Sequence, residues 1–331
     1  MRRQAEKRTG GRIIAALLAF LLLAGFFPGC SGPEGDGGKK IRVVATVFPL
    51  YDWVRNVLGG EDGIEVVLLL DKGVDLHSFQ PSAADVVKIA SSDLFLYVGG
   101  ESERWVDDVL LENEASGRRV VDLMELLGPD LREEEITEGM EEETEEPGET
   151  GPAYDEHVWL SLRLAEKVVG EIAAKLGEID PDRRELYDKN ASDYAEKLRA
   201  LDGEFADAVR SGDCDTLVVA DRFPFRYLAE DYDLRYYAAF PGCSAESEAS
   251  FQTVVFLAGK VDELQLPAVL TLETGDQRLA ETVAENVKGE RPEILVMNSL
   301  QAAGIKDAEQ GLSYLGVMKE NLKTLKKALS R

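Results

Sequence analysis

Histidine and cysteine are scarce in this sequence. Its 331 residues include only two histidines and three cysteines. It contains no H-E-x-x-H motif of metalloproteases, no G-x-S-x-G nucleophile turn and no G-x-x-x-x-G-K-S/T phosphate loop. These absences argue against a zinc protease, a serine hydrolase and a P-loop nucleotidase. We therefore expect a protein that is not an enzyme.

Basic side chains are also scarce. There are 37 Lys and Arg against 63 Asp and Glu, a net charge of −26. Residues 1–30 contribute five basic side chains and one acidic one, so the remainder carries −26 − 4 = −30. This surface argues against a nucleic-acid partner, because a phosphate backbone has to be neutralised by Lys and Arg. It suits the attraction of cations, although solubility or a saline habitat would explain it equally well.

The chain lacks a hydrophobic run long enough to span a bilayer. Residues 13–27 form an apolar run of 15 residues after a basic stretch, whereas a spanning helix needs roughly 20. The run therefore indicates a signal peptide, ending in Phe-Pro-Gly-Cys at Cys30. This end is similar to a bacterial lipobox with Cys30 as the acylated residue, although Phe27 replaces the usual Leu. The alternative is ordinary cleavage near Gly29.

The expected location follows from that leader. Acylation at Cys30 would anchor the protein to the outer face of the cell membrane or in the periplasm, without a membrane-spanning helix. Residues 31–40 are rich in glycine and predict a flexible tether between the anchor and the folded part.

From residue 41 onward, short apolar runs alternate with amphipathic stretches. This alternation predicts an α/β fold: two lobes, each with a mainly parallel sheet flanked by helices, joined by one long rigid helix. We place the N-terminal lobe at 41–180, the linking helix at 181–210 and the C-terminal lobe at 211–331. Strands are predicted at 41–48, 64–70, 94–98 and 119–123, and again at 216–220, 234–240, 268–272 and 293–297.

The helices come from the same pattern. They are predicted at 50–58, 82–90, 104–111, 158–177, 181–209, 224–231, 247–264, 277–287 and 309–329. Ser82 and Asp85 form a capping-box pattern at the start of the second. Residues 130–156 are an acidic low-complexity stretch, for which we expect a mobile solvated loop.

The two histidines stand where a ligand site would be. His77 follows the predicted strand 64–70, and His157 follows the acidic stretch. Open parallel sheets bind ligands outside the carboxyl ends of their strands, and neutral imidazole is a common zinc ligand. Spacing alone leaves open that each is a structural histidine.

Four motifs favour a ligand role for both histidines over a structural one, because together they resemble one family. They are V-V-A-T-V-F-P-L at 43–50, K-G-V-D-L-H-S-F-Q-P-S at 72–82, D-E-H-V-W-L-S at 155–161 and Y-L-G-V-M-K-E-N-L at 314–322. In this order the chain resembles the solute-binding proteins of zinc and manganese ABC importers. The resemblance implies that His77 and His157 bind Zn²⁺ or Mn²⁺ as the transported ion. It also implies delivery to an ABC permease, and we expect a monomer.

The resemblance fails at the family's two remaining ligand positions. Arg222 stands at the third, and arginine cannot act as a metal ligand. Asn298 stands at the fourth, where an amide brings no charge. We therefore consider Cys243 as a third ligand, together with a carboxylate from Asp221 or Glu273. The alternative for Cys243 is a buried small apolar residue.

Two further expectations concern the second lobe. Cys214 precedes its strand while Cys243 follows one, so the two lie at opposite ends of parallel strands and cannot form a disulfide. Arg222 is expected to form an ion pair with Asp221 or Glu273. Alternatively it binds an anion, which would make the ligand a metal chelate or an anionic solute.

Overall fold

The computed structural model describes residues 40–60, 63–71, 73–113, 117–141, 153–244 and 248–331. The predicted signal peptide, Cys30 and all of the tether except Lys40 lie outside these residues. Within the described residues, no helix combines the length and the apolar character that crossing a membrane requires.

The first lobe is built on a four-stranded parallel sheet. Its strands are β1 (Ile41–Ala45), β2 (Ile64–Leu68), β3 (Leu94–Tyr97) and β4 (Arg119–Asp122), in the order β2-β1-β3-β4. Central β1 pairs with both neighbours, since Val43 lies opposite Val66 on one side and Leu94 on the other. The chain reverses its direction of travel across the sheet at β1, which opens a crevice at the carboxyl ends of these strands.

The second lobe repeats this plan. Its strands are β5 (Thr216–Phe223), β6 (Arg235–Pro241), β7 (Ala268–Leu272) and β8 (Glu293–Met297), in the order β6-β5-β7-β8 and all parallel. The predicted fold of two parallel sheets is confirmed. β5 is three residues longer than predicted, and its pairing with β6 is irregular between Val219 and Arg222.

Helices flank both sheets. In chain order they are α1 (Phe48–Leu58), α2 (Ala83–Ala90), α3 (Trp105–Glu112), α4 (Leu123–Leu127), α5 (Leu162–Ile179), α6 (Arg184–Ser211), α7 (Arg226–Asp231), α8 (Phe251–Leu264), α9 (Arg278–Asn286), α10 (Ile305–Glu309) and α11 (Tyr314–Ala328). The capping box of Ser82 and Asp85 is present at the start of α2. The helix predicted over 309–329 is present as α11 but begins only at Tyr314, because Gly311 before it has a φ of 96°, which is incompatible with a right-handed helix. The short helix α10 was not predicted.

The long helix α6 joins the lobes. A turn of 3-10 helix at Pro181–Arg183 precedes its 28 residues. One side of it is apolar and buried, including Tyr187, Leu198 and Phe205, and this side packs on α5, α1 and α11. One hydrophobic core therefore runs from the first lobe into the second, which favours small tilts between the lobes over wide hinge opening.

The acidic stretch differs in part from the solvated loop that we expected. Glu133 bridges to Tyr154, Gly139 lies against the ring of Phe256, and Glu141 accepts hydrogen bonds from Ser250 N and Thr253 Oγ1. Its flanks are thus packed, because their carboxylates find donors on the second lobe. Residues 142–152 lie outside the described residues.

Candidate metal site

His77 is held in a turn just beyond β2. It lies in a short 3-10 helix, Leu76–Ser78, whose N-cap Asp75 accepts a hydrogen bond from His77 N at 3.0 Å. On the imidazole, Nδ1 is 2.7 Å from Ser102 Oγ and 3.6 Å from Glu156 Oε2. The nearby carboxylate favours the ring proton on Nδ1, which leaves the Nε2 lone pair free to coordinate.

His157 is fully buried and is oriented by its own loop. Asp155 Oδ1 accepts hydrogen bonds from His157 N at 2.8 Å and from Nδ1 at 3.0 Å. A carboxylate on Nδ1 fixes the tautomer and orients the ring, as it does around metal-binding histidines. The Nε2 lone pair of His157 therefore also points away from its support.

The two Nε2 atoms meet although 80 residues separate them in the sequence. They are 3.2 Å apart. Two nitrogens bound tetrahedrally to one zinc ion at about 2.0–2.1 Å would be about 3.3 Å apart. The first lobe therefore presents the spacing that a single small cation requires.

Cys243 reaches the same point from the second lobe. It lies two residues beyond β6, and its Sγ and the two imidazole nitrogens all lie within 4.8 Å of one another. The preceding Gly242 allows this approach, because a Cβ there would come within 2.8 Å of Phe223 O. Burial, and then the nearby charges of Asp155 and Glu134, raise the pKa of the Cys243 thiol well above its usual value. The side chain is thus a thiol at neutral pH and has to lose its proton in order to bind a metal.

The two cysteines of the second lobe are free. Cys214 lies near Ala328 O, at the end of the sheet opposite to Cys243. The predicted absence of a disulfide between them agrees with this placement.

Sequence reasoning missed Gln301. This buried side chain places Nε2 at 2.6 Å from His157 Nε2 and at 3.3 Å from His77 Nε2. The only signal in the sequence was its position shortly after the last strand, where we considered Asn298 instead.

Glu273 and Asn298 make hydrogen bonds to the loop that leads to Gln301, and Glu273 is not part of the cluster of His77, His157 and Cys243. Glu273 accepts hydrogen bonds from Ser299 N at 2.9 Å and from Ser299 Oγ at 2.8 Å. Asn298 Oδ1 accepts one from Leu300 N at 2.8 Å. Leu300 has a φ of 65°, and such a left-handed conformation of a non-glycine residue persists only when its surroundings impose it.

Asp221 and Arg222 also lie outside the cluster of His77, His157 and Cys243. Asp221 accepts hydrogen bonds from Thr271 Oγ1 and Leu272 N, at 3.0 and 3.2 Å. Arg222 forms an ion pair, but its partner is Asp75 of the first lobe at 2.9 Å and not Asp221 or Glu273. Both residues line a cleft of about 600 Å³ that lies beside His77 and is bounded by both lobes.

The site has more buried negative charge than the described cations around it neutralise. The side chains of Asp155 and Glu156 are only 2% exposed, and Glu156 Oε2 has no hydrogen-bond partner. Burial, and then the neighbouring His157, lower the pKa of His77 to about 3, so its ring is neutral at physiological pH. A neutral His77 ring and buried carboxylates beside it favour a bound cation.

Two α/β lobes that bring imidazole and thiol groups together between their strand ends define a two-lobed solute-binding protein. The sequence model of the ZnuA family, described as zinc-uptake complex component A, periplasmic, matches residues 43–328. This chain belongs to that family. The family consists of binding proteins and not of enzymes, in agreement with our prediction.

Individual relatives support this assignment. The high-affinity zinc uptake system protein ZnuA of Bacillus subtilis is 31% identical over 331 residues, covering 98% of each chain. The zinc-binding lipoprotein AdcA of Streptococcus pneumoniae is 33% identical over 317 residues, which are 95% of this chain but only 60% of AdcA. The crystal structure of the Zn(II)-bound ZnuA-like domain of that AdcA matches with a TM-score of 0.70 at 29% identity, covering 88% of this chain and all of the domain.

Proposed function

We propose that this protein captures a zinc ion between its lobes and delivers it to the permease of an ABC importer. The observation that carries the proposal is the 3.2 Å separation of the two Nε2 atoms, with Cys243 Sγ beside them. The names of the relatives, a zinc-binding lipoprotein and a zinc uptake protein, point to the same ion.

The ligand types favour zinc over manganese. Two imidazoles and one thiolate match the nitrogen and sulfur ligands that zinc prefers, whereas manganese prefers oxygen. His77 and His157 come from the first lobe and Cys243 from the second, so neither lobe holds the ion alone. Binding is therefore coupled to the relative position of the lobes, which is the property that a permease could read.

The buried carboxylates complete the charge balance. A zinc ion with one thiolate keeps a charge of +1, and Asp155 and Glu156 lie directly behind the imidazoles to offset it. The alternative of an anionic solute lacks such support, because the guanidinium of Arg222 is already paired with Asp75.

Zinc titration of the untagged protein against a competing chelator tests this function. The chain has no histidines besides His77 and His157, so any imidazole signal reports on the site. His77→Ala, His157→Ala and Cys243→Ser should each weaken zinc binding by at least tenfold, while Cys214→Ser should bind as the wild type does. Unchanged affinity in both histidine variants would refute the proposal.

The anchor and the oligomeric state are part of the same proposal. Acylation of Cys30 is tested by labelling cells with a fatty-acid analogue, where Cys30→Ala should carry no label and should be released from the membrane. Light scattering of the mature protein should give the mass of a monomer with and without zinc.

A further inference from the structure

Arg222 connects the loops that carry two of the proposed zinc ligands. Its Nη2 donates a hydrogen bond to Asp75 Oδ2 at 2.9 Å, and its Nη1 donates one to the carbonyl oxygen of Ser244 at 3.3 Å. Asp75 lies in the first lobe, two residues before His77, and Ser244 lies in the second lobe, directly after Cys243. We call these two contacts the Arg222 bridge, because one guanidinium joins both lobes at the edge of the site.

The carboxylate of Asp75 has a separate partner for each oxygen. Oδ1 accepts the hydrogen bond from His77 N at 3.0 Å that begins the turn around this histidine, and Oδ2 accepts the one from Arg222. The side chains of Asp75 and Arg222 are only 24% and 16% exposed, so salt screens their attraction less than that of a surface pair. The carboxylate that begins the His77 turn is thus bonded directly to the second lobe.

The backbone that carries Arg222 is held in place by the second sheet. Arg222 N donates a hydrogen bond to Asp221 Oδ1 at 2.9 Å, while Asp221 Oδ2 accepts hydrogen bonds from Thr271 Oγ1 and Leu272 N of the neighbouring strand β7. The guanidinium itself is a planar group whose donors form a rigid fork. A fixed backbone and a rigid fork together hold a constant separation between the two acceptors of the Arg222 bridge.

We propose that Arg222 is a positioning residue: it holds the loop of Cys243 against the loop of His77 and thereby slows the release of zinc. The proposal rests on the proposed function, because it concerns the rate at which the captured ion leaves. Arginine cannot bind a metal, so Arg222 acts on the site only through the two loops. Any tilt that separates the lobes at this edge has to break the Arg222 bridge.

The direction of the change in zinc release distinguishes positioning from a simple effect of charge. If Arg222 acted on the bound ion only through its positive charge, removal of that charge would slow release, whereas removal of the Asp75 charge would accelerate it. The Arg222 bridge predicts acceleration in both cases, because either substitution breaks the same contact. Asp75→Asn suits this comparison, since an asparagine oxygen still accepts the hydrogen bond from His77 N.

Transfer of zinc from the loaded protein to an excess of chelator measures the release rate. Arg222→Met and Asp75→Asn should each accelerate release by about tenfold or more, because each removes a hydrogen bond between charged groups. The double variant should release zinc within about twofold of the faster single variant, since both changes remove one interaction. Arg210→Met and Asp207→Asn break an exposed ion pair and should release zinc at the wild-type rate. Rates that change in opposite directions, or that do not change, would overturn the proposal.

The reactivity of the thiols in the zinc-free protein gives a second measurement. Alkylation by iodoacetamide, followed at each cysteine by peptide mass spectrometry, should be about fivefold faster or more at Cys243 in Arg222→Met, because the loop of Cys243 opens more often. The rate at Cys214, which lies at the opposite end of the sheet, should stay at the wild-type value. Equal acceleration at both cysteines would show a general loss of stability and would contradict a positioning role.

The outcomes separate this proposal from the proposed function. If Arg222→Met and Asp75→Asn release zinc as the wild type does, while His77→Ala fails to bind it, the positioning role of Arg222 is refuted and the proposed function stands. If the wild-type protein binds no zinc, the proposed function is refuted, and the positioning role with it.

Discussion

Replacement of Cys243 by serine should abolish the proton release that accompanies zinc binding. The pKa of the thiol lies well above its usual value because the side chain is buried among carboxylates, so the group is protonated at pH 7.0–8.5. The pKa of His77 of about 3 leaves that ring without a proton to lose. The Nδ1 of His157 is bonded to Asp155 Oδ1, and its Nε2 faces the site. A zinc–thiolate bond therefore releases one proton.

The sign and size of the effect follow from this count. Affinity rises with pH, because a falling proton concentration favours the deprotonated ligand, and one proton corresponds to about tenfold per pH unit, or 1.36 kcal/mol. Between pH 7.0 and 8.5 wild-type zinc affinity should increase by about thirtyfold. The affinity of Cys243→Ser should stay nearly constant over this range.

Calorimetry measures the proton number directly. Zinc titrations in buffers with different ionisation enthalpies should give one proton for the wild type and for Cys214→Ser, and none for Cys243→Ser. One proton released by Cys243→Ser, or none by the wild type, would show that the thiol is not a ligand.

Three further substitutions test the surroundings of the site and the fold. Asp155→Asn should weaken zinc binding by about 10–100-fold, because it removes the negative charge that supports the His157 ring. Chelator competition measures this affinity, and Asp207→Asn, at an exposed position, should leave it unchanged. Burial raises the pKa of Glu103 to about 7, above its usual 4.5, so the folded state holds this proton more tightly than the unfolded one. Raising the pH from 6 to 8.5 should therefore lower the free energy of unfolding of the wild type by about 1.5 kcal/mol. In urea unfolding, Glu103→Gln should lose less stability over this range, and the difference should be that amount. Identical pH profiles of the two proteins would contradict the raised pKa of Glu103. Phe205 is fully buried and stacks on Tyr232 with ring centroids 5.4 Å apart; Phe205→Ala should lower the free energy of unfolding by about 3–5 kcal/mol, and exposed Glu204→Ala by less than about 0.5 kcal/mol.

Much of the fold was readable from local patterns. Alternating apolar strands and amphipathic helices predicted two parallel sheets, because burial on both faces and helical periodicity leave a direct trace in the sequence. The long apolar side of α6, from Tyr187 to Phe205, is such a trace. The short α10 and the late start of α11 were missed, since the left-handed φ of Gly311 leaves no periodic signal.

The residues of the candidate site fall into the same two groups, those readable from the sequence and those that only the structure identifies. His77 and His157 stood out because they are the only histidines and lie in motifs of the first lobe. Cys243 was named from its position after a strand, with a buried apolar residue as the alternative, and the structure places it beside both histidines. Only the tertiary structure shows that Arg222 pairs with Asp75 and that Glu273 and Asn298 support the loop of Gln301.

The physical reason is that these contacts join residues that are far apart in the sequence. Gln301 meets His157 across 144 residues and Arg222 meets Asp75 across 147. Such contacts depend on how two lobes pack and on a few unusual backbone torsions, such as that of Leu300. A sequence states which groups are available near each strand end, but only the packed chain determines which of them point at the same ion.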